Sequence, residues 1–225
     1  MIKTLTLALL AATLSTSALA QTAPAAAEAP PVATPAPAPT YATVRVTLIT
    51  ALGPIVLNLE SERAPISTAA FLRYIDQRKL DGTGFYRAMD LGRGYGLVQF
   101  GTRNDPRRTL PPVAHEPTSR TGLSHTDGTI SLARAAPGTA RGDFFIVVGD
   151  LVSLDAQPAG SGGDVDGFAA FGRVVEGMDV VRAIMAAPTD PNAGEGVMRG
   201  QMIAAPVRIE SGRRTPAVPV PPPAQ

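Results

Sequence analysis

Apolar and polar positions alternate from Thr43 to Thr50, with Val44, Val46 and Leu48 on one face and Arg45, Thr47 and Ile49 on the other. After Ala51-Leu52-Gly53-Pro54 the alternation resumes at Ile55, Leu57 and Leu59. A period of two, broken by a Gly-Pro turn, predicts an antiparallel hairpin with one half-buried face. From Ala64-Pro65 the period lengthens, and Phe71, Tyr74, Ile75 and Arg78 share one side of a helix that closes before Asp81-Gly82. Proline near the first turn suits a helix start, where the amides lack partners in any case. Short strand-like pieces punctuated by glycine follow at 84–89, 96–100, 129–134, 143–148 and 168–175. Gly177-Met178-Asp179 opens a second helix, with Met178, Val181, Ile184 and Met185 at helical spacing, and a last strand runs from Pro206 to Glu210. Many closely spaced strands with two separated helices predict a mainly β fold, a closed antiparallel barrel capped by two α-helices.

The ends of the chain follow other rules. Residues 1–20 carry one charge, Lys3, then an apolar run, then Ala18-Leu19-Ala20. That is the pattern of a secretory signal peptide cleaved after Ala20, and the run is short for the ~20 apolar residues of a membrane span. The expected location is therefore periplasmic or secreted, with no membrane span after signal removal. Residues 21–40 are almost all Ala and Pro, a composition that buries no core and keeps a linker extended. Residues 214–225 read as a Pro-rich disordered tail. Between them, 41–213 is enough chain for one domain with a sizeable core.

Charge narrows the partners. Removing Lys3 leaves 19 basic against 19 acidic residues, a balance that argues against nucleic acid as a partner. With no cysteine there is no disulfide framework, so the fold stands on its core alone.

Several motifs are weaker than they look. Gly92-Arg93-Gly94-Tyr95-Gly96 resembles a phosphate loop only in glycine content and reads as an irregular loop. Asp164-Val165-Asp166-Gly167 resembles part of a calcium loop but lacks its twelfth-position ligand, since Glu176 falls one residue late. His115 and His125 have no neighbouring cysteine and no helical pairing, so no metal site is expected. Ser124-His125-Thr126-Asp127 contains the letters of a nucleophilic triad, but adjacent residues do not converge as a triad requires.

The ordered pieces carry a stronger signal. Phe85-Tyr86-Arg87, Gly96-Leu97-Val98-Gln99, Thr129-Ile130-Ser131-Leu132-Ala133, Phe144-Phe145-Ile146, and Phe171-Gly172 with Gly177-Met178-Asp179 occur in an order that resembles a cyclophilin-type peptidyl-prolyl isomerase over roughly 42–213. The resemblance implies an eight-stranded barrel with a peptide groove on its outer surface. It assigns Arg87 as the catalytic residue and Gln99 as the residue that hydrogen-bonds the substrate backbone. It further implies that Phe144 and Leu154 line the proline pocket, that Leu97 precedes Gln99 in an apolar position, and that Ala133 sits where the substrate strand lies. A pocket aromatic falls at Tyr95 or Gly96, and a groove histidine is replaced by Phe168. An insertion at 90–95 is expected to form a lid beside the groove, and Asp143 to pair with Arg87 or Arg134.

The chemistry accounts for an arginine. Rotation about an X-Pro bond faces a barrier of ~18–20 kcal/mol because amide resonance is lost. No bond breaks, so neither nucleophile nor cofactor is needed. An apolar pocket for the ring and a fixed cationic donor aimed at the twisted imide suffice. Partners are then Pro-containing unfolded or flexible polypeptides. The reading is an isomerase assisting the folding of exported proteins; the alternative is a catalytically weak module of the same shape that binds Pro-containing peptides. The letters leave oligomeric state open.

Overall fold

The computed structural model describes residues 40–216. The expected signal peptide, the linker before residue 40 and the part of the tail beyond residue 216 lie outside the described residues, while Arg214, expected to begin that tail, instead ends the last strand. Twelve elements follow in order: β1 (Val44–Thr50), β2 (Gly53–Leu59), α1 (Pro65–Asp76), β3 (Gly84–Gly92), β4 (Tyr95–Gly101), α2 (Thr118–Thr121), β5 (Thr129–Leu132), β6 (Asp143–Val148), β7 (Ala169–Glu176), α3 (Met178–Met185), β8 (Thr189–Asp190) and β9 (Met202–Arg214). Every pairing is antiparallel, in the order β1-β2-β7-β5-β6-β4-β3-β9, and β9 returns to β1. Eight strands thus close on themselves, leaving only the two-residue β8 appended to β9. Closure removes the unpaired edges that an open sheet would expose.

The period-two pattern fills the interior. Val46, Leu48, Ile55, Leu57 and Leu59 are fully buried, as the alternation in β1 and β2 requires. Aromatic rings occupy the rest: Phe71 of α1 meets Phe144 edge-on at 4.8 Å, and Phe85 lies 4.7 Å from Phe100. Phe144 is therefore an interior residue and not the pocket residue the resemblance implied. Its neighbour Phe145, one step along β6, faces outward with Leu97 and Val147.

Helix α1 starts without a capping side chain, because its N-cap is Ala64. A distant residue supplies the acceptor instead: the Ser67 amide donates to Glu116 Oε2 at 2.6 Å, and Glu116 is buried. A carboxylate at this end suits both the unpaired amides and the helix dipole.

Strand β3 is where the fold departs from simple alternation. Phe85 pairs with Phe100 but Arg87 pairs with Gln99, so two steps on β3 match one on β4. This bulge at Tyr86 moves Arg87 from the face that Phe85 occupies, inside the barrel, to the outer face. Farther on, the insertion at 90–95 is neither an irregular loop nor a lid. It extends the β3–β4 hairpin, with Asp90 opposite Gly96 and Gly92 opposite Tyr95. Arg93 and Gly94 make the turn at φ 56° and 80°, the two positive values a tight two-residue hairpin turn needs. No helix among the described residues is long and apolar enough to cross a membrane.

Candidate active site

The groove lies on the outer face of β3, β4 and β6, with a volume of ≈ 550 Å³. Its floor is apolar: Leu97 from β4 and Phe145 from β6, flanked by Met89, Ala133, Leu154 and Phe168. Leu97 and Gln99 reach it because Val98 and Phe100 point inward, so alternation alone sorts β4 into a groove face and a core face. Leu154 comes from a 3-10 turn at Val152–Leu154, and Phe168 from the residue just before β7. Phe168 stands edge-on to Phe145 at 5.5 Å.

Arg87 occupies the polar side. Its Nη1 donates to Gln99 Oε1 at 2.8 Å, while Nε and Nη2 both donate to Gln201 Oε1 at 2.8 and 2.7 Å. Gln201 is itself held by donating from Nε2 to the Val197 carbonyl at 2.9 Å. Gln99 completes the chain by donating from Nε2 to the Tyr86 hydroxyl at 2.7 Å. These contacts fix the plane of the guanidinium. Burial pulls the Arg87 pKa below the ordinary arginine value, and a guanidinium so far above neutrality keeps its charge.

Behind this layer lies Asp143. It pairs with neither Arg87 nor Arg134, in contrast to the expectation. Its Oδ1 accepts from the Arg103 amide at 2.9 Å, and the carboxylate faces the Tyr86 hydroxyl. Burial raises the Asp143 pKa above the usual carboxylate range, and hydrogen bonds from Arg103 and Tyr86 pull the other way. Burial, then the Asp143 charge, pushes the Tyr86 hydroxyl far above the ordinary tyrosine value, so it stays protonated. Arg134 turns away to Asp164, whose Oδ2 accepts from Nη2 at 2.6 Å, and to the Gly167 carbonyl at 3.0 Å from Nε. Its guanidinium lies 4.9 Å from the centre of the Phe168 ring. The segment with calcium-loop letters thus serves to hold Arg134 over Phe168.

Under the floor, His125 enters an arrangement that adjacent letters did not suggest. Its Nδ1 lies 2.6 Å from Asp155 Oδ1 and its Nε2 3.0 Å from Ser131 Oγ. His125 and Ser131 are fully buried, and the imidazole stacks against Phe145 at 5.9 Å. Burial lowers the His125 pKa and Asp155 opposes that shift. A serine with no exposed surface meets no substrate, so this trio supports the floor and does not act as a nucleophile.

The structure brings Arg87, Gln99, Leu97, Leu154, Ala133 and Phe168 together in the groove. Tyr95 does not line it: the ring is part-exposed at the far end of the hairpin and packs against Gly149. Phe145, Met89, Tyr86 and Gln201 belong to the site and were not anticipated. Gln201 lies 114 residues from Arg87 and carries no local sequence signal.

Comparison with known proteins fits this geometry. Residues 45–211 match the family model described as cyclophilin type peptidyl-prolyl cis-trans isomerase/CLD. A peptidyl-prolyl cis-trans isomerase of Acinetobacter baylyi is 35% identical over 155 residues, covering 68% of this chain and 77% of the relative. Peptidyl-prolyl cis-trans isomerase A of Dickeya dadantii is 36% identical over 160 residues, covering 68% and 78%. Among solved structures, a Cryptosporidium parvum cyclophilin type isomerase crystallised in the presence of the dipeptide Ala-Pro superposes with a TM-score of 0.60 at 18% identity, over 77% of this chain and 99% of that one. An eight-stranded closed barrel, an outer groove with an apolar floor and the family match together establish that the chain belongs to the cyclophilin-type peptidyl-prolyl cis-trans isomerases.

Proposed function

We propose that Arg87 is the electrostatic catalyst and that the groove acts on flexible or unfolded Pro-containing segments of exported proteins. The observation that carries the first part is the fixed guanidinium beside an apolar floor. Gln201 and Gln99 hold its plane, and one Nη1 N–H is left without a partner on a side chain that lines the groove. The proline ring rests on Leu97 and Phe145, Gln99 meets the substrate backbone, and the free donor addresses the imide nitrogen as it loses conjugation. A donor already oriented before the bond twists costs no reorganisation when it does. Export rests on the signal pattern in residues 1–20.

The test is exchange of a short X-Pro peptide read by NMR, with residues 21–225 and with Arg87→Ala. Loss of one transition-state donor typically costs ~2–4 kcal/mol, so exchange is expected to fall about a hundredfold while peptide binding changes little. Arg87→Lys keeps the charge but not the fork and is expected to recover only part of the rate. Equal exchange in wild type and Arg87→Ala would falsify the assignment. Slow exchange in both, with binding intact, would leave a peptide-binding module of the same shape. Export is checked separately by the N-terminal residue of the protein recovered from cells, expected to be Gln21.

A further inference from the structure

A second cavity opens beyond Tyr86, and nothing in the isomerase chemistry uses it. It has a volume of ≈ 390 Å³ and is walled by Arg103, Arg108 and Arg208 around the small residues Gly82, Gly84 and Gly101. Two of the guanidinium groups converge at Gly82, where a Cβ would lie 3.6 Å from Arg208 Nη2 and 4.0 Å from Arg108 Nη2. Arg108 is anchored by donating from Nη1 to the carbonyls of Lys79 and Asp81 at 2.9 and 2.8 Å. Among the described residues, the side chains of Arg103 and Arg208 have no carboxylate partner. Arg103 instead lies over the Tyr86 ring, 5.1 Å from its centre. The one carboxylate in the wall, Asp105, accepts two hydrogen bonds of 3.1 Å from Arg107 and also faces Arg108 Nε at 4.0 Å. Three cations against one engaged anion leave the cavity electropositive.

Tyr86 is shared between the two sites. Its hydroxyl accepts from Gln99 in the groove, and its ring lies under Arg103 in the cavity. Arg141, exposed and without an acid partner among the described residues, lines the groove next to Gly142, whose carbonyl accepts from the Thr102 amide. A basic path therefore runs from the groove across Arg141 and Arg103 to Arg208. We propose that this cavity binds Asp or Glu side chains of the polypeptide whose proline occupies the groove, so that the enzyme prefers X-Pro bonds with acidic flanks. The inference rests on the groove being the peptide site.

Exposed arginines bind a free carboxylate weakly. A carboxylate tethered a few residues from a docked proline meets them at high effective concentration, which converts weak pairing into selectivity. Tyr86 is part of the cavity wall and bonds to Gln99 of the groove, so the two sites adjoin, and each extended residue of a client adds roughly 3.3 Å of reach. Only a polypeptide that continues out of the groove has this advantage, which favours client carboxylates over free anions.

The experiment compares X-Pro peptides carrying Glu at two to four positions on either side of the proline with their Gln counterparts, by NMR line shape for binding and by exchange for turnover. At low salt one side is expected to gain about three- to tenfold in affinity and in kcat/KM. Arg208→Gln is expected to remove much of that gain, and Arg103→Gln with Arg208→Gln nearly all of it. Arg208→Gln leaves the neutral peptide unchanged, and added salt removes the gain in wild type. Equal Glu and Gln peptides in wild type, or a preference that survives the double substitution, would sink the proposal. Absence of exchange with any peptide would instead count against the catalytic reading, and the binding data would still decide the acidic preference.

Discussion

Of the N–H donors that Arg87 presents, Gln201 takes two and Gln99 one. Gln201→Leu leaves the part-buried Nε–H without its acceptor and frees the guanidinium to rotate. Loss of such a partner costs ~1–2 kcal/mol, so kcat is expected to fall about tenfold with KM nearly unchanged. Equal changes in both constants would mean that Gln201 shapes the groove and does not orient the donor. Asp143 makes the opposite kind of prediction. Its carboxyl is raised above the usual carboxylate range by burial. A raised folded-state value means the ionised form costs stability once pH exceeds the unfolded-state value of about 3.9. Asp143→Asn is expected to raise the urea midpoint at pH 7 and to match wild type near pH 3, where both side chains are neutral.

At the scale of elements, β6 shows what period two decides. Phe144 and Phe145 are adjacent, yet one packs on Phe71 inside the barrel and the other forms the floor of the groove. Phe144→Leu is expected to lower stability by ~1–2 kcal/mol with peptide affinity kept, because it removes interior ring contacts. Phe145→Leu is expected to weaken peptide binding at a smaller stability cost. Reversal of that pattern in paired denaturation and titration experiments would contradict the orientation of β6. These letters could not be sorted beforehand, because Asp143-Phe144-Phe145-Ile146-Val147-Val148 is apolar on both faces and has no alternation to read. By contrast β1 and β2 place Val46, Leu48, Ile55, Leu57 and Leu59 at every second position, and apart from Ile49 and Val56 their faces were legible. The bulge at Tyr86 was invisible for another reason: it is a property of pairing with β4 and β9, and no single strand's letters record it. The ordered motifs nevertheless placed Arg87 and Gln99 together, while Gln201 arrives from a segment that only the closed barrel brings near.

Closure of the whole molecule depends on β9 reaching β1, and ion pairs hold the end of β9 in place. Asp81 accepts from Arg213 Nη1 and Nη2 at 2.9 and 2.8 Å and from the Gly212 amide at 3.0 Å. Asp76 accepts from Arg214 Nε at 2.8 Å and Nη2 at 2.5 Å. Hydrogen bonds from these arginines hold both carboxyls below the usual range, against burial. A depressed carboxyl contributes stability that is present above the unfolded-state value of about 3.9 and is lost as pH falls through the folded value. The Asp76–Arg214 pair is half exposed on both sides and contributes little; Asp81, at 23% side-chain exposure with three donors, carries more of the effect. His125 adds a second limb at higher pH. It is enclosed by Asp155, Ser131 and Phe145, and burial depresses its pKa although Asp155 opposes the shift. The unfolded chain therefore binds a proton at this histidine that the folded chain refuses. That stability is complete above about pH 6.5 and declines as pH falls toward the folded value. Urea midpoints measured from pH 8 to pH 3 are expected to fall in two stages. His125→Asn is expected to flatten the upper stage and leave the lower one. Arg213→Gln is expected to lower the midpoint at pH 7 and converge on wild type at the acid end, where Asp81 is protonated in both. A wild-type midpoint that stays level between pH 7.5 and pH 5 would mean the imidazole takes up its proton without disturbing the floor, with Asp155 compensating fully for its burial.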